Sequence, residues 1–482
     1  MDLPEIRDVV GLFLPKNALT TCARVCKDWH ASFIPHLYAS LDMYTRPELI
    51  PTALTFALYG HHLKELSLDF IHPQIHAISV TCHNIQKLHL DLVNFKSKHR
   101  DHLIRLLQSN TMIQDLNIEK DQLHYLEIPP SFVRDILLHC TAVTSVALIG
   151  FELSKEDIGA LWTMSEQLKE LRLDGYSPEL PESIWELGER PWPTFPKLEL
   201  LELCWILDDL TPGAQVRWIG QCPSLKQLVW TFPNFELMSQ HPGDNTAETK
   251  FGQEWHKLFR SARCPLLTSV EIYGSKFEDK YLQIMLEQSP ALLTHLRIRL
   301  FRFPEQATDG WRRHFGTLVC IHLLPSEFKE NWVSQTILSS CPQLEKFVGT
   351  TLFLPDGSSA DPWVCDKLRH LTIRIWTTDT PQMRHEILNR LIQLKNLRTL
   401  EVRASLDWFV PNTEHLLPHE HSLRDTEREL QSTEEANHNQ RLFVGSNSPY
   451  ERTFPLKPKQ RWIQDAWPKL RHFGLSSAYY NQ

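Results

Sequence analysis

Glycine is scarce in this chain of 482 residues, with 17 present where roughly 34 are expected at average usage. Glycine-rich phosphate-binding loops therefore have little material, and no Gly-x-x-x-x-Gly-Lys-Ser/Thr motif occurs. Positive charge is not in excess either, because 50 Lys and Arg face 58 Asp and Glu, a formal charge of −8. This balance gives no electrostatic reason to expect a nucleic acid or a membrane as partner.

The sequence also lacks the marks of a secreted or membrane protein. The first five residues, MDLPE, are acidic where a secretory signal is basic, and no segment approaches the ~20 apolar residues of a membrane span. No Asn-x-Ser/Thr glycosylation acceptor is present. Ten cysteines are too dilute for a disulfide scaffold in a chain of this length. We therefore expect a cytoplasmic or nuclear protein.

Triplets of apolar residues in the pattern L-x-x-L-x-L recur from residue 61 onward, mostly at spacings within or near the roughly 20–29 residues of leucine-rich repeats. A chain rich in apolar residues produces many such triplets by chance, so the pattern alone is weak. Their first positions are Leu63, Ile85, Ile113, Val143, Leu168, Leu198, Leu225, Leu267, Leu293, Leu318, Leu344, Leu368, Leu397 and Leu470.

Cysteine provides an independent check of the register. If cysteines were placed at random, about one or none would lie at any fixed distance before the fourteen triplets. Six of the ten lie three residues before the first apolar position: Cys82, Cys140, Cys222, Cys264, Cys341 and Cys365. Proline repeats the register one residue later, at Pro196, Pro223, Pro265, Pro342 and Pro468. This order predicts a buried thiol at the end of a helix, a proline that stops the helix, and then a strand.

The intervals between triplets have helical periodicity, for example at 99–107, 276–289 and 329–341. Each unit is therefore a strand and a helix, and such units bury their apolar faces by stacking. The pattern predicts an α/β horseshoe-shaped solenoid over 46–403, with one parallel concave sheet. It resembles the cysteine-containing leucine-rich-repeat family. We expect 234–252 to be an inserted loop, 404–460 a polar insertion, and 461–482 a terminal repeat.

The first 45 residues form a separate, all-α segment in this interpretation. Ile6, Val9, Val10 and Phe13 mark one helical face before Pro15, and a second apolar series runs from Leu19 to Phe33. A segment this short cannot enclose a core of its own. Its spare apolar surface predicts a partner.

Within this segment, Leu3-Pro4-x-Ile6 and Val25-Cys26-Lys27-x-Trp29 occur at a spacing that resembles an F-box, although Ala18 stands where an acidic residue is frequent. The chain therefore resembles fungal-type F-box proteins with C-terminal leucine-rich repeats. The resemblance implies that the module docks on the Skp adaptor of cullin-RING (SCF) ubiquitin ligases while the repeats bind a protein substrate. Trp29 is an equal candidate for packing the module on the repeats. The adaptor-binding residues implied are Leu3, Pro4, Ile6, Val10, Leu14, Leu19, Val25, Cys26 and Trp29.

Residues beside the second and third apolar positions of each triplet are expected on the concave face. The first repeats place acids there: Glu65, Asp69, Asp91, Asp115, Glu119, Glu170, Asp174 and Glu202. The later repeats place bases and histidines there: Arg297, Arg299, Lys346, Arg374, Arg403, His295, His322, His370 and His472. Such a face favours a protein substrate of complementary charge, or phosphorylated residues bound by Arg297, Arg299 and Arg374, which we expect on adjacent strands. The alternative is that these charges only keep the strands soluble.

The sequence contains no organised catalytic motif, so we expect a non-catalytic protein without cofactor or metal. Cys22 and Cys26 with His30 offer too few ligands for zinc, and the histidines at 415, 419 and 421 do not form HExxH. The functional alternative to a ligase subunit is a leucine-rich-repeat scaffold that acts outside any ligase, with the helical start as its cap.

Overall fold

A computed structural model of the chain describes residues 3–43, 51–69, 75–93, 95, 97–120, 131–151, 153–174, 193–204, 212–231, 246–273, 279–300, 308–325, 332–352, 361–375, 381–403 and 467–476. The chain divides into two compact units. Unit 1 comprises residues 1–268 with 288–291, and unit 2 comprises residues 269–287 and 292–482.

Unit 1 contains a parallel sheet in which each strand pairs with the next along the chain. Its strands are β1 (Ser40–Asp42), β2 (Glu65–Asp69), β3 (Lys87–Asp91), β4 (Asp115–Glu119), β5 (Ser145–Ile149), β6 (Glu170–Asp174), β7 (Leu200–Cys204) and β8 (Gln227–Thr231). Its helices are α1 (Pro4–Phe13), α2 (Lys16–Cys22), α3 (Lys27–Leu37), α4 (Ala53–Tyr59), α5 (Ile75–Thr81), α6 (Ser97–Ser109), α7 (Phe132–His139), α8 (Lys155–Thr163), α9 (Pro212–Ile219) and α10 (Thr246–Arg260).

Unit 2 repeats the same architecture, with every strand parallel to its neighbour. Its strands are β9 (Ser269–Tyr273), β10 (His295–Leu300), β11 (Cys320–Pro325), β12 (Lys346–Leu352), β13 (His370–Ile375), β14 (Thr399–Arg403) and β15 (His472–Ser476). Its helices are α11 (Asp279–Gln288), α12 (Thr308–Arg312), α13 (Trp332–Ser340) and α14 (Pro381–Gln393).

The predicted repeat register is confirmed at every triplet. Each of the strands β2–β15 begins two residues after the first apolar position of a triplet, as Glu65 follows Leu63 and His472 follows Leu470. The first two apolar residues are buried in almost every repeat, because alternate side chains of a strand point to opposite faces and one face packs on the helices. The strand β1 carries no triplet and was not predicted.

The junction cysteines also lie where the sequence predicts. All six are buried, and the thiols of Cys222 and Cys264 donate to the carbonyl oxygens of Trp218 and Ile219 at 3.5 and 3.3 Å. At the same position Asn110 replaces cysteine, and its amide accepts from the backbone N–H of Ile85 at 2.8 Å. At this position Cys264 and Asn110 therefore each join two successive repeats.

One predicted loop is partly wrong. We expected 234–252 to be an insertion without regular structure, but residues from Thr246 onward belong to α10. The reason is that Phe251, Trp255 and Phe259 follow one another at intervals of four and pack their rings together in the core. The preceding part of the predicted loop and the predicted insertion at 404–460 lie outside the described residues.

Within the described residues, the structure contains no helix with both the length and the apolar character needed to span a bilayer.

Candidate protein-interaction surfaces

The helices α1–α3 enclose a small core that is completed by the first repeat. Leu19, Phe33 and Ile34 are at most 6% exposed. Trp29 packs its ring 5.4 Å from that of Phe33 and is half-buried. Tyr59 of α4 joins the same cluster. The core that the module cannot enclose by itself is therefore supplied in part by its neighbour.

Several apolar side chains of the module remain exposed. Leu3, Ile6 and Val25 are 58%, 43% and 61% exposed. Burial of such leucine, isoleucine and valine side chains against a partner would be favourable, so several of them exposed on one small module indicate a binding surface. We define the N-terminal apolar set as the exposed apolar residues of the module: Leu3, Ile6, Val9, Leu12, Phe13 and Val25.

The residues implied by the F-box resemblance divide between surface and interior. Pro4 and Cys26 are exposed together with Leu3, Ile6 and Val25, whereas Val10 and Leu14 are half-buried against the core. Leu19 is only 3% exposed, so this predicted adaptor contact is an internal packing residue. The predicted adaptor-binding residues do not include Val9, Leu12 or Phe13, although these are 56%, 70% and 82% exposed.

The module is fixed to the first repeat by aromatic, polar and backbone contacts. The rings of Tyr38 and Tyr59 stack with centroids 4.9 Å apart, and the Tyr59 hydroxyl lies 3.4 Å from Nε2 of His30. The Nζ of Lys16 donates to the carbonyl oxygen of Ser40 at 2.6 Å. Because β1 pairs with β2, the sheet continues to the end of the module. This arrangement holds the N-terminal apolar set at a defined position on unit 1.

The open face of each unit is the side of its sheet that carries the alternate, more exposed side chains of the strands. In unit 1 the predicted acids on this face are largely paired across strands. Lys87 Nζ lies 2.9 Å from Glu65 Oε1, and Arg172 lies within 3.8 Å of carboxylate oxygens of both Glu170 and Glu202. Exposed pairs of this kind contribute at most about 1 kcal/mol each, so they neutralise the face more than they stabilise it.

Two aspartates of this face behave differently from the expectation. Asp91 is 6% exposed, and its Oδ1 accepts from the backbone N–H of Val93 at 3.0 Å, so its carboxylate is used inside the fold. Burial, followed by the charges of Glu202 and Glu119, raises the pKa of Asp174. Asp115 lies in register with Lys87, and the side chain of Asp69 is outside the described residues.

In unit 2 the predicted arginine cluster is not assembled as expected. Arg297 and Arg374 lie on β10 and β13, and the two strands between them separate the positions by roughly 14 Å. Nη1 of Arg297 lies 3.4 Å from Glu271 Oε2, and its guanidinium carbon lies 5.3 Å from the centroid of the Tyr273 ring. Arg374 is in register with Arg403 instead. The side chains of Arg299 and Arg403 are outside the described residues.

The register of unit 2 brings together a different group. Lys346 on β12 is in register with Cys320 on β11 and His370 on β13, and His322 lies two residues along β11. Burial, with the charges of Arg297 and Lys346, lowers the pKa of His322 to about 4. Burial and the charge of Lys346 also lower the pKa of His370. The sequence predicts Lys346, His322 and His370 on the concave face but does not group them, because the members are spread over 51 residues of sequence, from Cys320 to His370.

Comparison with known proteins adds little to this description. No model of a known protein family matches the sequence, and no curated protein matches it. The chain is similar to the solved structure of the leucine-rich repeat-containing protein LegL7 from Legionella pneumophila, at 12% identity and a TM-score of 0.33, over 68% of this chain and 97% of that chain. The fold is a leucine-rich-repeat fold. Its assignment rests on the strand register described above, since a similarity at this level carries no inference about partner or activity.

Proposed function

We propose that the chain is the substrate-recognition subunit of an SCF-type ubiquitin ligase and is not itself an enzyme. Its helices α1–α3 dock on the Skp adaptor, and the open faces of the repeats bind a protein substrate. The observation that carries the proposal is the exposure of Leu3, Ile6 and Val25, three residues of the F-box-like pattern, on a module whose other apolar residues form a core.

Rigid attachment of the module supports the same function. A substrate receptor has to hold its substrate at a fixed place relative to the adaptor. The Tyr38–Tyr59 stack and the pairing of β1 with β2 couple the docking helices directly to the first repeat. These contacts hold the exposed apolar residues at one place relative to the repeat sheet of unit 1, which suits a connector between two proteins.

Adaptor binding is the experiment that tests the proposal. Purified Skp adaptor is titrated against the full chain, and against a variant that carries Ile6→Glu and Val25→Glu. We expect the wild type to bind and the variant to lose at least about tenfold in affinity, because charges would be placed in an apolar interface. The matched control is Leu138→Glu on α7, a residue 53% exposed outside the module. Wild-type protein that does not bind the adaptor would refute the ligase function.

The alternative is a leucine-rich-repeat scaffold that acts outside any ligase. One observation favours it. Tyr59 completes the core of α1–α3, and β1 extends the sheet, as expected of a cap that protects the end of a repeat array. A chain that has no affinity for the adaptor, but unfolds when α1–α3 are removed, would fit this alternative.

A further inference from the structure

The open face of unit 2 carries a row of one lysine and three histidines, with a cysteine and a threonine among them, that the register lines up across its strands. From β10 to β15, the first open-face positions are occupied in order by His295, Cys320, Lys346, His370, Thr399 and His472. His472, at the end of the row, lies with Nε2 3.7 Å from Glu401 Oε1. Neighbouring strands lie roughly 4.8 Å apart, so the row extends over about 24 Å. This length suits an extended polypeptide segment that crosses the strands.

Lys346 is the centre of this row. Its side chain is exposed, and no carboxylate of the described residues lies within ion-pair distance of it. His370 lies beside it on β13, with Nδ1 3.0 Å from the hydroxyl oxygen of Thr399, which leaves Nε2 for a ligand. His322 lies on the other side, on β11. Three groups able to carry positive charge thus converge on one part of the sheet.

The strand that carries Lys346 is also irregular. The register between β12 and β13 shifts between Val348 and Thr351, and Gly349 takes the third apolar position of its repeat. The ring of Phe347 occupies the space that a Cβ at Gly349 would need. Bulges of this kind are frequent beside binding sites, where they change the direction of side chains. The irregularity falls within five residues of the cationic centre.

We propose that the open face of unit 2 around Lys346, His322 and His370 binds an acidic, Asp- and Glu-rich segment of a protein partner, and that binding takes up protons. The proposal deepens the proposed function by naming the partner chemistry. It does not require adaptor docking, which is a property of unit 1.

The chemistry favours carboxylates spread along a segment over a single phosphate. Phosphate is usually bound by arginine forks that contact it bidentately. Arg297, the arginine nearest to His322, is instead held by Glu271 and the ring of Tyr273. Arg374 lies on β13 four residues beyond His370, so the groups next to Lys346 are imidazoles at intervals of one strand, which match several separate acids.

Proton uptake follows from the charges that surround the two histidines. His322 faces Arg297 on β10 and Lys346 on β12, which together with burial disfavour its protonation, while Glu271 beyond β10 is paired with Arg297. His370 faces Lys346 on β12, with Arg369, Arg398 and Glu345 near it. On the other neighbouring strand, β14, Glu401 accepts from the hydroxyl of Thr372 at 3.2 Å and lies 3.7 Å from Nε2 of His472. A bound carboxylate would offset these positive charges and favour the imidazolium forms. Uptake of one proton changes affinity by up to about tenfold per pH unit.

The test uses the full chain and fluorescent peptides of about twelve residues. One peptide alternates Glu and Ser, a second alternates Gln and Ser, and a third contains Gly and Ser with one phosphoserine. Affinities are measured near pH 7.5 and near pH 6, where glutamate stays ionised but phosphate loses part of its charge. We expect the Glu peptide to bind severalfold more tightly at the lower pH and the Gln peptide not to bind.

Three variants locate the site. Lys346→Glu should weaken binding of the Glu peptide by about tenfold or more, because a like charge would face each carboxylate. The control Lys367→Glu makes the same charge change at an exposed residue of the turn before β13, and should leave binding unchanged. A protein with both His322→Gln and His370→Gln should still bind near pH 7.5 but lose the gain at lower pH. Unfolding midpoints establish that each variant is folded.

The outcomes separate this proposal from the proposed function. Lys346→Glu should leave adaptor affinity unchanged, and the Ile6→Glu, Val25→Glu protein should still bind the Glu peptide. Tighter binding of the phosphoserine peptide than of the Glu peptide would replace the acidic segment with a phosphorylated one. Absence of binding, or equal binding by Lys346→Glu, would overturn the site. An affinity that does not change with pH would overturn the role of the histidines.

Discussion

The ring of Tyr38, at the end of α3, stacks on the ring of Tyr59, at the end of α4, with an interplanar angle of 13° and centroids 4.9 Å apart. This contact joins the helical module to the first repeat. The aromatic pair packs the end of the module directly against the first repeat. The stability of the helical module is therefore expected to depend on its contact with the first repeat.

Substitution of Tyr59→Ala should loosen the module. Removing the ring deletes the stack, which is worth about 0.5–1.5 kcal/mol beyond the buried area in pairs of this type. We expect faster hydrogen exchange of the amides in α1–α3 and weaker adaptor binding, with little change in α6–α8. Tyr59→Phe keeps the stack and loses only the contact of the hydroxyl with His30, so it should behave almost as the wild type. Equal exchange in wild type and Tyr59→Ala would contradict the coupling.

The buried imidazole of His314 should make the stability of unit 2 dependent on pH. Its Nδ1 accepts from the backbone N–H of Leu293 at 3.0 Å, and its Nε2 donates to the carbonyl oxygen of Leu286 at 2.9 Å. Burial lowers the pKa of His314, although the hydrogen bond to Leu286 opposes the shift. The unfolded chain, in which this pKa is about 6.5, therefore binds the proton first as pH falls.

The contribution of the neutral His314 imidazole to the stability of unit 2 is complete above about pH 6.5 and decreases as pH falls below that value. His314→Gln should be less stable than the wild type by about 1–3 kcal/mol near neutral pH, because buried backbone groups lose partners. The loss should shrink under acidic conditions. Thermal unfolding as a function of pH measures both effects, with His83→Gln at an exposed position as control. A constant difference across the pH range would show that His314 does not titrate in this way.

Removal of the charge at Asp174 should stabilise unit 1 at neutral pH. Burial and the charges of Glu202 and Glu119 raise the pKa of this carboxyl, so the folded state holds its proton more strongly than the unfolded state. Ionisation of Asp174 near pH 7 therefore costs stability. We expect Asp174→Asn to unfold about one to a few degrees above the wild type at neutral pH.

That advantage should disappear as pH falls towards about 4, where the wild-type carboxyl is itself protonated. Asp115→Asn is the matched control on the same face. Because Asp115 lies in register with Lys87, its substitution removes an attraction and should not stabilise the protein. A similar gain from both variants would point to a general effect of net charge.

The cysteines should separate into two classes of reactivity. Burial raises the pKa of the Cys140, Cys264, Cys341 and Cys365 thiols to about 12, and that of Cys82 to about 11. Thiolates are the reactive form, so these residues should resist alkylation by iodoacetamide in the folded protein. Cys26 is exposed and should be labelled first. Mass spectrometry of digests made before and after denaturation measures the order. Early labelling of Cys140 or Cys341 would contradict the repeat register.

The repeat register could be predicted from the sequence because it depends on local periodicity. Short segments contain both signals: apolar residues that alternate with period two, and a cysteine, or the residue that replaces it, three positions before the first apolar residue. These signals placed one strand at each of the fourteen triplets, where the structure has β2–β15. The helix at Thr246–Arg260 was missed in part, since Pro242-Gly243-Asp244-Asn245 just before it suggested a longer loop. The short β1 has no triplet, and only pairing with β2 defines it.

The sequence by itself determined which residues form strands, which of their side chains face the core, and that the first helices carry more apolar surface than they can bury. Tertiary structure alone decided which apolar residues of the module stay exposed. Leu19 and Phe13 are both apolar, but Leu19 is packed in the core whereas Phe13 is 82% exposed. Tertiary structure likewise decided that Arg297 pairs with Glu271 and that Lys346 lies beside His370. Such contacts join residues about one repeat apart, and strand pairing over that distance leaves no local signal.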